Sequence, residues 1–262
     1  MVGSEEVSTP PATRRHGGSA RAVVTLVAAL AFAASPFVFG GFRGFGPDRF
    51  PVPQVDPPIQ PAGYAFGIWG LIYLWLLVHA GTGLTRGRRR QPVWDATRTP
   101  LGFSLLVGSA WIPVAKASPL WGTVLIFVML GGALIALIRG RGGDPWLLQG
   151  PIGLYAGWLT AASLVALGIT GAGYGLGPGA PGWAWIAILA ALGVSSAAQW
   201  ASGAPFYGVA VAWALGGIAV QNWGTEWGLV AIAALGAAAM LAQAAWSGEG
   251  RFDAGGDGRS GE

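Results

Sequence analysis

The stretch from Asp56 to Tyr73, DPPIQPAGYAFGIWGLIY, leads from a proline-rich segment directly into an apolar helix. Phe66, Trp69 and Tyr73 follow one another at i, i+3 and i+7, so their rings share one helical face. Proline is tolerated just before a helix or in its first turn, so the prolines form a stiff, non-helical segment beside the rings. The pattern fits ordinary helix-packing surface, and it also fits a ligand site under a lid. In the second interpretation the lid residues are Asp56, Pro57, Pro58 and Pro61.

The composition places this motif in a membrane. Hydrophobic residues make up 53% of the 262 residues and charged residues only 10%, so a water-soluble domain would lack polar side chains to cover its surface. The net charge of +4 resides in short arginine clusters between apolar runs, which report topology. We therefore predict an all-α, polytopic helix bundle in the lipid bilayer, with no nucleic-acid partner.

Eight apolar segments are long enough to cross about 30 Å of hydrocarbon. We predict spans at about 21–42, 63–84, 101–117, 120–138, 150–170, 183–200, 205–221 and 227–246. The first segment also resembles a cleavable signal peptide, because two arginines precede it, but it continues to Phe42 and is kept as a span. The predicted organisation is a polar tail 1–20, a five-span core 21–171 with a proline-rich loop 43–62, three further spans in 172–246, and a polar tail 247–262.

The arginines between spans two and three are the strongest orientation signal. The cluster contains Arg86, Arg88, Arg89, Arg90 and Arg98, and such clusters remain in the cytoplasm. Both termini are then cytoplasmic, and the proline-rich loop lies on the outer side. We also expect His79 and Trp94 near the inner membrane interface and Lys116 to extend toward the outer headgroups.

A second aromatic pattern occurs in span five. Tyr155, Trp158 and Ala162 repeat the spacing i, i+3 and i+7, and the small residue leaves room beside two rings. Two such walls facing each other across a bundle would form a flat slot for a planar, largely apolar ligand. A tryptophan within a span also needs a partner for its indole N–H.

Few residues are available for catalysis or for coupled transport. The chain has no cysteine and two histidines, so no metal site, thiolate nucleophile or catalytic acid–base pair is predicted. No acid or base is expected deep inside a span, and ion-coupled transporters place such groups there. We therefore predict no catalytic residues and no required cofactor, and we disfavour active transport.

The ordered pair of aromatic patterns resembles the tryptophan-rich sensory protein family, the bacterial relatives of the mitochondrial translocator protein (peripheral benzodiazepine receptor). The resemblance is carried by PAGYAFGIWGLIYL around Trp69 and by PIGLYAGWLTAAS around Trp158, and it covers about residues 21–171. The sequence departs from the family at Phe66-Gly67-Ile68-Trp69, which is one residue shorter and lacks a proline. It also departs at Gly108 and Ala166, where the family carries asparagines.

The resemblance implies a five-helix core whose first loop caps a pocket for a hydrophobic small molecule. Family ligands include tetrapyrroles such as porphyrins and sterol-like compounds. The implied role is membrane ligand binding in sensing or regulation, in a bacterial inner membrane, with small-residue surfaces that permit a homodimer. Two alternatives remain: an uncoupled transporter of hydrophobic molecules and a light-dependent porphyrin-degrading enzyme. The implied ligand-binding residues are Phe66, Trp69, Tyr73, Trp111, Tyr155, Trp158 and Ala162.

Overall fold

The computed structural model describes residues 17–256, which form an all-helical bundle. Seven of its helices are long and apolar enough to cross a membrane, and Pro205–Gln221 is a shorter apolar helix. The predicted polytopic membrane bundle is therefore confirmed. The helices are α1 (Gly17–Phe39), α2 (Ile68–Thr82), α3 (Pro92–Ala117), α4 (Pro119–Arg139), α5 (Gly150–Gly173), α6 (Gly179–Ser202), α7 (Pro205–Gln221) and α8 (Trp227–Gly256).

Helix ends differ from the predicted spans where capping extends a helix beyond its apolar run. Helix α3 begins at Pro92, nine residues before the predicted Leu101, because Pro92 occupies the first turn, where its missing N–H costs nothing. The Ser118 hydroxyl accepts a hydrogen bond from the N–H of Trp121 and caps α4. Helices α1 and α8 also extend into the stretches predicted as polar tails; the remainder of both tails lies outside the described residues.

Helix α5 is the central element of the bundle. It contacts α2, α4, α6 and α7, and nearly all of its residues are buried. Its glycines allow α7 to approach closely: a Cβ added at Gly157 would overlap the carbonyl oxygen of Tyr207, and one added at Gly153 would lie 3.2 Å from the Tyr207 nitrogen. Small residues at such positions are typical of helix packing in membranes. Helices α6–α8 are thereby joined to the centre of the fold.

The two ends of the bundle differ in composition. We call the end that carries residues 83–98 the arginine-rich end. The opposite end, which carries residues 40–67 and the C-terminal end of α7, is the loop end. The short connection Ser118 between α3 and α4 also lies at the loop end.

At the arginine-rich end, Arg98 is buried, although the sequence analysis used it only as part of the orientation signal. Its side chain is only 2% exposed. The guanidinium donates to the carbonyl oxygens of Gly18 (3.1 Å), Gly83 (3.0 Å), Arg88 (3.4 Å) and Arg89 (3.1 Å), and it pairs with Asp95 at 3.2 Å. Carbonyls near helix ends lack partners within their own helices. Arg98 therefore ties together the beginning of α1, the chain after α2 and the beginning of α3.

His79 and Trp94 also lie at this end, where neighbouring helices bury both side chains; their expected depth at the inner membrane interface stays a prediction. Their exposed fractions are 2% and 1%. The two rings stack in parallel with centroids 5.0 Å apart, and His79 Nδ1 lies 2.7 Å from the carbonyl oxygen of Leu147, which accepts its hydrogen bond. Both rings pack between α2, α3 and the turn before α5.

Candidate functional site

The predicted aromatic face of span two exists, although a helical irregularity precedes it. Phe66 lies in a 3₁₀ turn, Gly63–Gly67, and α2 begins only at Ile68. Trp69 and Tyr73 nevertheless stack, with centroids 5.4 Å apart and an interplanar angle of 18°. All three rings border the same groove at the loop end.

The rings of α2 and α5 meet each other. The Trp69 and Trp158 centroids are 6.1 Å apart at an interplanar angle of 85°, and those of Phe66 and Trp158 are 6.0 Å apart at 82°. These edge-to-face arrangements are favourable aromatic contacts. The two walls therefore converge, but they touch, and no flat slot separates them.

Phe32 of α1 belongs to the same cluster and was missed by sequence reasoning. Its ring contacts Trp69, Tyr73 and Tyr155 at centroid distances of 5.9, 5.0 and 5.6 Å. Gly108 of α3 makes room for it, because a Cβ there would lie 2.6 Å from the Phe32 ring. The available signal was that Phe32 is the only aromatic residue of α1 before Pro36.

A large cavity at the loop end is a groove between α1, α2 and α3. Its volume is about 530 Å³, within the range of small-molecule sites. Seven of its thirteen lining residues are aromatic, so a flat apolar molecule would find rings along most of its length. We call this cavity the groove; its lining residues are Phe32, Pro36, Gly41, Phe42, Arg43, Gly63, Tyr64, Phe66, Gly67, Trp69, Tyr73, Trp111 and Ile112.

A smaller cavity lies behind the groove, between α2, α5 and the proline-rich loop. It has a volume of about 50 Å³ and is lined by Trp158, Ala162 and Ala166, among others. That volume is far below the size of drug-like sites, whereas the volume of the groove lies within their range. The two cavities share four lining residues: Phe42, Phe66, Trp69 and Trp111.

The deep tryptophans differ in how their indole N–H groups are satisfied. Trp111 Nε1 donates to the carbonyl oxygen of Gly122 at 2.8 Å, and Trp213 Nε1 donates to that of Ala65 at 2.9 Å. Trp158 Nε1 is buried and has no acceptor within residues 17–256. A buried N–H without a partner is costly, and this one belongs to a ring that lines the small cavity.

Three of the predicted ligand-binding residues do not line the groove. Tyr155 is fully buried and borders neither cavity; its hydroxyl and that of Ser104 are 2.9 Å apart. Its ring packs against Phe32. Trp158 and Ala162 line only the small cavity. A ligand-binding role for any residue of the predicted set stays a prediction.

The predicted lid is held in place by α7. The Asn222 side-chain amide donates to the carbonyl oxygen of Pro58 at 2.7 Å, and the Ala62 N–H donates to that of Gly217 at 3.0 Å. Pro61 borders the small cavity, Pro57 is buried, and Asp56 is exposed with φ of 45°. The lid therefore roofs the small cavity, and part of the three-helix segment 172–246 positions it.

Among the residues described, no group of three or more His, Cys, Asp or Glu side chains could hold a metal ion. The polar groups nearest the groove are Arg43, two tyrosine hydroxyls and backbone atoms. This arrangement can bind an apolar molecule and orient one polar group of it.

The fold and the groove define a polytopic α-helical membrane protein with an aromatic-lined cavity at one end. Residues 52–246 match the model of the family described as TSPO-like protein, so the chain belongs to the TSPO-like family. The match begins in the proline-rich loop, after α1, and continues into α8, so it leaves out residues 21–51 of the stretch that carried the resemblance and adds residues 172–246. The chain has no significant match among curated proteins or among solved structures.

Proposed function

We propose that this TSPO-like membrane protein binds a planar hydrophobic molecule, such as a tetrapyrrole or a sterol-like compound, in the groove, and that it acts in sensing or regulation. The observation that carries the proposal is an open space of about 530 Å³ lined by seven aromatic rings. Aromatic rings bury large apolar areas and favour stacked or edge-on contacts with other rings. A flat ligand gains from both effects.

The position of the groove supports uptake from the lipid phase. Phe37 of α1 is 89% exposed, and Leu71 and Leu74 of α2 are 52% and 61% exposed. Large apolar side chains with such exposure suit contact with acyl chains in a membrane helix. Both helices also line the groove, α1 with Phe32 and Pro36 and α2 with Trp69 and Tyr73. We therefore expect a hydrophobic molecule dissolved in the bilayer to reach it laterally, past these two helices.

Rigid surroundings support selective binding. Trp111 is fixed by its bond to the Gly122 carbonyl, and Phe32 is wedged against Tyr155 and over Gly108. A site whose walls are already ordered loses less conformational entropy on binding. The groove therefore has the properties of a preformed receptor site.

The test is titration of purified protein in lipid nanodiscs with protoporphyrin IX in the dark, followed by porphyrin fluorescence. We expect saturable binding that Trp69→Leu weakens about fivefold, because an aromatic contact contributes roughly 1 kcal/mol beyond burial. The matched control is Trp200→Leu, since Trp200 is 85% exposed and lies in α6, away from the groove. Linear uptake that is equal in all three proteins would show partition into lipid only and would refute the proposal.

A further inference from the structure

The groove contains one charged side chain, and that residue indicates what the ligand carries. Of the thirteen lining residues, Arg43 alone is charged. It is exposed and lies in the segment that connects α1 to the proline-rich loop. The remaining lining side chains are apolar or aromatic, so a charged ligand group has one recognition point.

The backbone around Arg43 is specified by glycines. Gly40 and Gly44 have φ of +73° and +119°, a region that other residues rarely adopt. A Cβ at Gly44 would also lie 2.7 Å from the side-chain oxygen of Gln60. These two glycines turn the chain on either side of Arg43 and fix where its side chain begins.

Arg43 has no hydrogen-bond or ion-pair partner in the part of the chain that the structure describes. Lys116, the other cation close to this segment, is different: its ammonium group donates to the carbonyl oxygens of Phe39 (2.7 Å) and Gly40 (3.3 Å). Lys116 thus caps the C-terminal end of α1, which corrects the expectation that it extends toward headgroups. Arg43 remains available to a ligand.

The two ends of the groove differ in their chemistry. The groove extends from Gly63, in the 3₁₀ turn at the loop end, to Tyr73 of α2, a distance of about 17 Å at rises of about 2.0 and 1.5 Å per residue. Arg43 lies at the Gly63 end, because it follows the last residue of α1, Phe39, and thus belongs to the loop end of the bundle. A molecule lying in the groove would place one end on a guanidinium and the other end among rings.

We infer that the groove binds an amphipathic small molecule with a fused-ring body and a carboxylate, and that Arg43 binds the carboxylate at the mouth of the groove. The inference rests on the proposed function and adds the charge and the orientation of the ligand. A guanidinium matches a carboxylate with two parallel hydrogen bonds. A diacyl phospholipid fits less well, since flexible acyl chains gain little from seven aromatic rings.

The experiment compares pyrene butyric acid with its methyl ester, which has the same ring system without the charge. Dissociation constants are measured by pyrene fluorescence in phosphatidylcholine nanodiscs for the wild type, Arg43→Gln and Arg49→Gln. Arg49 is the matched control, because it is exposed on the same loop and does not line the groove. The ratio of acid to ester affinity cancels differences in partition into lipid.

We expect Arg43→Gln to lower the affinity for the acid about fivefold, as for an exposed charge-assisted pair, and to leave the affinity for the ester unchanged. Arg49→Gln should change neither affinity. High salt should weaken binding of the acid to the wild type and to Arg49→Gln, which both retain the Arg43 guanidinium, but not to Arg43→Gln. Equal effects of the two variants on the acid, or an equal loss for acid and ester in Arg43→Gln, would overturn the inference.

Two further outcomes separate the inference from its alternatives. If phosphatidylglycerol in the nanodisc weakens binding of the acid to the wild type but not to Arg43→Gln, a lipid headgroup occupies Arg43 and the inference is wrong. If neither probe binds saturably and Trp69→Leu changes nothing, the proposed function itself fails. Saturable binding of both probes without an Arg43 effect would refute the inference alone.

Discussion

The two ends of the bundle use their polar side chains in opposite ways. At the arginine-rich end, the Arg98 guanidinium donates to four carbonyl oxygens, Arg88 pairs with Asp144 at 3.2 Å, and the cavity beside Arg98 has a volume of about 10 Å³. At the loop end, the Arg43 guanidinium and the Trp158 indole N–H have no hydrogen-bond partner in residues 17–256, and the groove has a volume of about 530 Å³. The arginine-rich end is tightly packed and internally hydrogen-bonded, whereas the loop end contains an open cavity and polar groups without hydrogen-bond partners.

This difference supports the proposed site at the loop end, and it gives the arginine cluster a second, structural role. The cluster was interpreted from the sequence as a topology signal. Arg98 shows that one arginine of the cluster also stabilises the fold, because its guanidinium joins segments from α1, α2 and α3. Substitutions at the two ends should therefore separate stability from ligand binding.

The largest effect is expected for Arg98→Met. The change leaves four carbonyl oxygens and Asp95 without the guanidinium, and removing one partner of a buried charged network costs about 3–5 kcal/mol. The free energy of unfolding should fall by that amount in a reversible detergent titration. Arg90→Gln is the control, because Arg90 is exposed and surface changes stay within about 0.5 kcal/mol. Equal stability of the two variants would contradict the conclusion that the Arg98 contacts stabilise this end.

An intermediate effect is expected for Gly217→Ala in α7. The added Cβ would lie 2.9 Å from the Cβ atoms of both Ala65 and Pro61, and such overpacking costs about 1–3 kcal/mol. The proline-rich loop should detach, with faster amide hydrogen exchange in residues 59–65 and weaker protoporphyrin binding.

The neighbouring glycine supplies the control for that experiment. A Cβ at Gly216 meets nothing within 4 Å, so Gly216→Ala should stabilise α7 by up to about 1 kcal/mol through helix propensity. If both alanine variants leave loop exchange unchanged, α7 does not hold the lid.

The smallest effect is expected for Tyr155→Phe. The substitution removes the hydrogen bond to Ser104 and should cost about 1 kcal/mol of stability. Protoporphyrin affinity should stay within about twofold, because Tyr155 lines neither cavity and a phenylalanine ring still supports Phe32. A large loss of affinity with little loss of stability would place the ligand deeper than the groove.

Sequence reasoning identified the helices and the convergence of Trp69 with Trp158, because periodicity reports which residues share a face. It could not locate the groove. The shape of the ligand space depends on whether two aromatic walls touch or stay apart, a matter of a few ångströms that spacing does not encode. It also depends on Phe32, a single ring in an otherwise small-residue helix.

Long-range polar contacts were equally hidden. The buried guanidinium of Arg98 is satisfied by carbonyl oxygens from segments about 80 residues apart in the chain. No local sequence pattern predicts such a contact. Asn222 lies 164 positions after Pro58 in the sequence, yet its side-chain amide donates a hydrogen bond to the Pro58 carbonyl oxygen. The role of α7 in holding the lid follows from that contact.

The most direct test of the account is a structure of the protein with zinc protoporphyrin bound, in which anomalous scattering from the zinc locates the ring. The account predicts the macrocycle in the groove between α1 and α2, against Phe32, Trp69 and Tyr73, with a propionate toward Arg43. Zinc located against α6–α8 or at the arginine-rich end, with the groove empty, would contradict it.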